Sequence, residues 1–150
     1  MADIKSPEER SVNMSKIRSS GTKPEEFIRK KLFSRGYRYR KNSSLVFGHP
    51  DAWMKKYNTA IFVNGCFWHR HKGCKYAYKP KSRTDFWMTK LHRNIERDEE
   101  VVTKLKEQGI KVITIWECTI KKMKKSLEYE NDVLLRIEEF LCSEEGYMEL

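Results

Sequence analysis

Two thiols and two imidazoles crowd into Cys66-Phe67-Trp68-His69-Arg70-His71-Lys72-Gly73-Cys74, and no other stretch limits the possible folds so tightly. Thiolate and imidazole are the donors that tetrahedral structural zinc selects. Cys66, His71 and Cys74 supply three of them. The fourth has to come from elsewhere, and Cys118 follows a short apolar run, Lys111 to Trp116, far along the chain. A closed site of Cys66, His71, Cys74 and Cys118 requires a fold that carries the end of that run back to the loop, and it leaves His69 free. A plainer reading makes Cys118 core and the loop residues incidental. Cys142 reads as a small buried hydrophobe or a free thiol. In an unexported chain of this size, thiols serve as ligands or core more often than as disulfides.

Turn and capping signals divide the rest into elements. Ser6-Pro7-Glu8-Glu9 is a capping box that predicts a helix to about Ile17, and Ser19-Ser20-Gly21 breaks it. Thr22-Lys23-Pro24-Glu25 starts a second helix ending near Gly36. Tyr37 to Arg40 alternates aromatic and basic residues, as a half-exposed strand does. Thr59 to Val63 and Lys111 to Trp116 read as buried strands, with Gly65 to Pro80 irregular between. From Thr84 the period turns helical, with Trp87, Leu91, Ile95, Val102 and Leu105 on one face and Gly109 as the stop. A last helix is expected over about Ile120 to Leu141. Strands interleaved with helices predict one α/β or α+β domain around a central sheet, spanning residues 1–150.

Charge narrows the function. Lysine and arginine total 31 against 21 acidic residues, a formal net charge of +10. That excess on a single small domain marks a binder of polyanions. Aromatic residues, 12% of the chain, add stacking surface beside the cations. No run approaches the roughly 18 apolar residues of a membrane span. Met1-Ala2-Asp3-Ile4-Lys5 lacks the apolar core of an export signal, so a cytoplasmic protein is expected. The run Lys121-Lys122-Met123-Lys124-Lys125 is a solvated helical face or a further phosphate contact.

Phosphodiester hydrolysis requires a polarised phosphate, an activated water and a stabilised leaving oxygen, and a hard divalent cation held by oxygens supplies much of this. Asp51, between Gly48-His49-Pro50 and a strand, is a fixed carboxylate. The strand Thr59 to Val63 can set its terminal backbone carbonyl beside it. The arrangement resembles the Pro-Asp and Asp/Glu-x-Lys pattern of restriction-type nucleases, but Phe62-Val63-Asn64 stands where the second acid and lysine would be. His69, five residues past the strand, is a candidate general base, and equally a further zinc ligand or a phosphate contact.

Five blocks then appear together: Gly48-His49-Pro50-Asp51, Phe62 through His69, Arg83-Thr84-Asp85-Phe86-Trp87, Asn94-Ile95-Glu96-Arg97-Asp98, and Trp116-Glu117-Cys118. In order and spacing they resemble the very short patch repair (Vsr) endonucleases, and Arg10-Ser11-Val12-Asn13-Met14 resembles that family's N-terminal arm, here residues 1–20. The likeness spans roughly residues 8 to 142. It implies a restriction-endonuclease-like fold, a central mixed sheet flanked by helices. It also implies an enzyme that nicks double-stranded DNA 5′ to the thymine of a T·G mismatch, the lesion left when 5-methylcytosine deaminates. By position, Asp51 and the Val63 carbonyl would hold catalytic magnesium, and His69 would be the base or would orient water. Glu25 and Asp98 would be outer acids, although Glu25 also serves as the capping acid of its helix.

Phe67, Trp68 and Trp87 match the family's aromatic wedge, and Met14 the wedge on the opposite groove. Unstacking costs least at a mispair, so a wedge contributes selectivity. Taken without that resemblance, Trp87 reads as helix core, since it lies on the apolar face. Val63 stands where the family has threonine and Asn64 where it has histidine, which leaves the role of Asn64 open. A monomer is the default expectation, with mismatch-repair proteins as partners that process the nick and the nucleoid as workplace. Two alternatives remain at this point: a restriction-like nuclease with another target, and a zinc-stabilised DNA-binding module that does not cut.

Overall fold

The computed structural model describes residues 22–150. The first expected helix, the N-terminal arm and Met14 lie outside the described residues. Four strands form one sheet in the order β1 (Ala52–Met54), β2 (Thr59–Asn64), β3 (Lys111–Trp116) and β4 (Tyr147–Glu149). The β1–β2 pair is antiparallel, while β2–β3 and β3–β4 are parallel, so the sheet is mixed as expected. Parallel neighbours need long crossovers. Helix α2 (Thr84–Glu107) makes the first, and α3 (Glu117–Lys125) with α4 (Leu127–Leu141) the second.

Side chains alternate across the strands, and the alternation assigns each residue to a layer. Ile61, Val63, Ile113 and Ile115 face the main core with Ile28 and Leu32 of α1 (Lys23–Ser34), Met123 of α3 and Ile137 of α4. Ala60, Phe62 and Val112 face the other way, where Val101, Val102 and Leu105 of α2 cover them. A fully buried aliphatic side chain contributes about 1.5–3 kcal/mol, so both layers are held mainly by such residues.

Helix α1 begins where its capping box predicts. Thr22 Oγ1 accepts from the Glu25 N–H at 3.5 Å, and Glu25 Oε2 accepts from the Thr22 N–H at 3.2 Å. The inward stripe of α2 holds Leu91 and Leu105 fully buried, but three residues after Leu91 and Ile95 it also carries Asn94 and Asp98. These polar residues share the helical spacing of the apolar ones, and both reach functional loops, as described below. The C-terminal end of α4 is pinned by Lys111, whose Nζ donates to the carbonyls of Phe140, Leu141 and Ser143 at 2.6, 3.3 and 2.8 Å. Lys111 opens β3, so this end of α4, with Glu138 and Glu139 in its last turns and Glu144 and Glu145 just beyond, lies away from the Trp116 end of that strand. Residues 127–150 carry eight acidic side chains against the single Arg136.

Three expectations are corrected. The helix expected from Ile120 to Leu141 starts earlier, at Glu117, and is two helices split at Ser126. Ser126 adopts extended dihedrals and its hydroxyl accepts from the Tyr129 N–H at 3.2 Å, so it caps a new helix instead of continuing the old one. Cys118 consequently sits in the first turn of α3, two residues past the end of β3. The strand expected over Tyr37 to Arg40 is a single bridge, in which Arg40 and Trp53 exchange two backbone bonds of 2.9 Å. Of the two readings of Cys142, burial fails: the thiol is free and exposed.

Candidate functional site

The carboxyl end of β2 gathers most of the residues singled out in the sequence. Asp51, just before β1, accepts a 2.6 Å hydrogen bond from the Val63 N–H through Oδ2. Within a strand, the N–H and C=O of one residue leave the same edge. The Val63 carbonyl therefore emerges on the side of Asp51, as the strand reading anticipated. Gly48 makes the approach possible: with φ of +84°, a Cβ there would stand 2.5 Å from Val101 Cγ1 on α2.

Glu25 comes to Asp51 from α1, close enough to hydrogen-bond its carboxyl. Glu25 thus caps its helix and faces Asp51 at once. Between them lies Arg29, 4% exposed, which sequence reasoning missed. Its Nη1 donates to the Asp51 backbone carbonyl at 3.0 Å and stands 3.7 Å from Glu25 Oε2. The signal was the i, i+4 acid–base spacing on α1. Burial pushes the Asp51 carboxyl up to about 7, and Glu25 adds to the rise. The Val63 N–H and Arg29 pull the other way. A carboxyl held there readily exchanges a proton for a cation near neutral pH.

His69 follows β2 on a turn in which its N–H donates to the Gly65 carbonyl at 3.0 Å. Its Nδ1 meets Asp98 Oδ2 of α2 at 2.6 Å. An ionised Asp98 accepts, which puts a proton on Nδ1; in the neutral imidazole Nε2 is then the acceptor. His69 is not part of the cysteine cluster. Asn94, one turn from Asp98, donates to the Trp68 carbonyl at 3.0 Å and fixes the neighbouring backbone. Asn64 closes β2, paired with Trp116.

Phe67, Trp68 and Trp87 form one half-buried aromatic group, with ring centroids 5.1, 5.8 and 6.3 Å apart. Trp87 lies on the stripe of α2 but packs on these rings, outside both core clusters. Lys90 Nζ stands 5.7 and 5.5 Å from the Trp68 and Trp87 rings. Arg70, at φ of +53°, donates to the carbonyls of Phe67, Ala77 and Tyr78 at 3.3, 2.9 and 3.1 Å. It ties the two halves of the loop together.

Cys66, His71, Cys74 and Cys118 converge, their ligand atoms all within 4.8 Å of one another. Cys66 is buried, and its Sγ accepts from the Cys118 N–H at 3.4 Å. Burial pushes the Cys66 thiol up to about 12, so a thiolate there calls for a positive charge beside it. His71 Nδ1 lies 3.4 Å from Cys118 Sγ, and its ring stacks on Trp116 with centroids 4.2 Å apart. Trp116 Nε1 in turn donates to Glu149 of β4 at 2.6 Å. Three soft thiols and an imidazole at this spacing fit a metal ion.

Known proteins carry the same pattern. The family model for the DNA mismatch endonuclease Vsr matches residues 2–75, a range that includes Glu25, Asp51, Val63, Cys66, His69, His71 and Cys74. The type II nicking enzyme V.NmeAIP of Neisseria meningitidis is 48% identical over 81% of this chain and 86% of its own. The DNA mismatch endonuclease Vsr of Escherichia coli is 34% identical over 96% and 90%. The chain belongs to the Vsr family. It is therefore a DNA endonuclease, a hydrolase of phosphodiester bonds. Another Vsr relative, the type II nicking enzyme V.NaeI of Lentzea aerocolonigenes, is 41% identical over 72% of this chain and 67% of its own.

Proposed function

We propose that this Vsr-family enzyme is a magnesium-dependent endonuclease on a restriction-endonuclease-like fold. It nicks one strand 5′ to the thymine of a T·G mismatch and so starts very short patch repair after 5-methylcytosine deamination. The observation that carries the reading is the junction of Glu25, Asp51 and Val63 at the end of the strand that leads to His69. Its donors are hard oxygens, and the Asp51 carboxyl near 7 gains most from a cation. Asp51 and the Val63 carbonyl would hold magnesium, with Glu25 as an outer acid. Bound there, the ion supplies the charge that polarises the scissile phosphate.

The chain's own residues do the rest. Asp98 fixes the His69 ring through Nδ1–H and stabilises its charged form. Nε2 takes the proton from the attacking water as the new P–O bond forms and the old one breaks. Phe67, Trp68 and Trp87 enter the stack beside the mispair, and Met14 acts from the other groove. Zinc held by Cys66, His71, Cys74 and Cys118 fastens the wedge loop to the sheet. The enzyme acts as a monomer on nucleoid DNA in the cytoplasm, and mismatch-repair proteins process the nick. Among the described residues, no helix is long and apolar enough to cross a membrane.

The relatives named as type II nicking enzymes favour a second reading, in which the target is a paired site. Nicking of a labelled T·G duplex against its T·A control, with and without magnesium and over randomised flanks, separates the two. Magnesium-dependent cutting beside the mispaired thymine alone supports the first, and equal cutting of both supports the second. Tight binding with no cutting leaves a DNA-binding module and points to Asn64.

A further inference from the structure

The aromatic group does not stop at three rings. Tyr78 lies 5.0 Å from Phe67, centroid to centroid, at an interplanar angle of 32°. It is the most nearly parallel of the ring contacts Phe67 makes. Yet Tyr78 is 64% exposed. A tyrosine that served only to pack against Phe67 would gain by covering more of its own surface, since burial is what stabilises an aromatic ring. Its position is also held. Arg70 donates to the Tyr78 and Ala77 carbonyls and to the Phe67 carbonyl, so the two ring-bearing segments are clamped together by one guanidinium. The same cation stands 5.5 Å from the Phe67 ring. Lys79 and Lys81 follow directly and are exposed.

Exposed rings set among cations are the surface on which nucleobases stack, because every base has a π-face and the charges hold the backbone. We propose that Tyr78 is a fourth stacking residue, whose ring takes the base adjacent to the one displaced by Phe67. The inference rests on the reading that this aromatic face enters DNA. With the backbone under Tyr78 held by Arg70 and its ring already against Phe67, part of the ordering that binding requires is in place beforehand.

The test compares the parent with Tyr78→Ala and Tyr78→Phe on T·G and T·A duplexes, without added magnesium, so that no strand is cut and no chelator competes for zinc. A 2-aminopurine beside the mispair reports stacking. Zinc content and thermal midpoint of each variant show whether the loop after Cys74 is intact. Tyr78→Ala should bind the T·G duplex about tenfold more weakly and lose part of the 2-aminopurine quenching. Tyr78→Phe should stay within about twofold of the parent, because the ring alone carries the contact. Parental affinity and quenching in Tyr78→Ala, or an equal loss in Tyr78→Phe, would overturn the assignment. A loss of the same size on both duplexes, where the parent itself prefers T·G, would reduce Tyr78 to a general contact and also overturn it. Should the parent bind both duplexes alike, the mismatch reading fails instead. Tyr78 is then judged by whether Tyr78→Ala weakens binding and quenching on either one.

Discussion

Val63 and Cys66 stand three residues apart on one chain, yet the sites they serve are built in opposite ways. Around Cys66, burial keeps that thiol protonated and neutral, so the cluster adds no buried anion there before any ion arrives. Around Val63, two carboxyl groups are pressed together under cover, with one buried arginine to balance them. The first arrangement favours permanence, since a soft cage closed on four sides holds its ion as part of the fold. The second stores a cost that a hard cation relieves, which suits a site whose ion comes and goes with substrate. One strand end supports a staple and a spring.

The largest expected effect breaks the acid side alone. Asp51→Asn should lower nicking by about a thousandfold, the several kcal/mol that a cation supplies to the transition state. DNA affinity without added magnesium should stay near that of the parent. Retained nicking in this variant would move the catalytic ion elsewhere.

Breaking the other side should affect folding first. Cys118→Ser should release the single zinc ion and lower the thermal midpoint by more than 10 °C, as when a structural site is lost. Metal analysis and calorimetry of the purified variant check both, and full stability without zinc would remove the staple.

The pH dependence sharpens the contrast. The Asp51 carboxyl titrates near 3.8 when unfolded and at about 7 when folded. Between those values the folded chain holds a proton that the unfolded chain has released. Its contribution to stability therefore falls as pH rises through that window and levels off above it. Without added magnesium, Asp51→Asn should be more stable than the parent above about pH 7, by roughly 1–3 kcal/mol, with the difference closing toward about pH 4. Denaturation at several pH values reads this directly. A variant less stable than the parent at high pH would show that the acids are not under strain.

The smallest effect concerns the platform under the zinc ligand. Trp116→Leu removes the ring stacked on His71 and the donor to Glu149, and zinc affinity should fall about tenfold. Competition with a chelating dye measures it.

How much of this was legible depended on what each residue needs as a partner. The cysteine–histidine cluster showed in spacing because three of its members are local and thiols have few other uses together. The sheet strands and α2 showed in their periods. Arg29 and Lys111 did not, because sequence alone places charges in water, and only the fold reveals carbonyls and acids that take them inside. Ser126 carried a capping signal, but apolar residues on both sides disguised it as mid-helix. Strand β4 is three residues after Glu144-Glu145-Gly146, too short for any period to speak. Asp51 was visible as a fixed carboxylate, whereas its pairing with Glu25 needed two distant elements to meet.

The acid-rich end of α4, fixed by Lys111 at the far end of β3 from Trp116, has a consequence for how the molecule travels. Positive charge dominates the remainder of the chain, so the protein carries a built-in electric polarity. In the field of a duplex such a polarity would turn the molecule before contact, with the end that holds His69 and the aromatic rings leading and the acidic end toward solvent. A molecule so oriented samples fewer unproductive collisions, and it glides with its reading edge against the helix. That advantage fades as salt shortens the reach of the field.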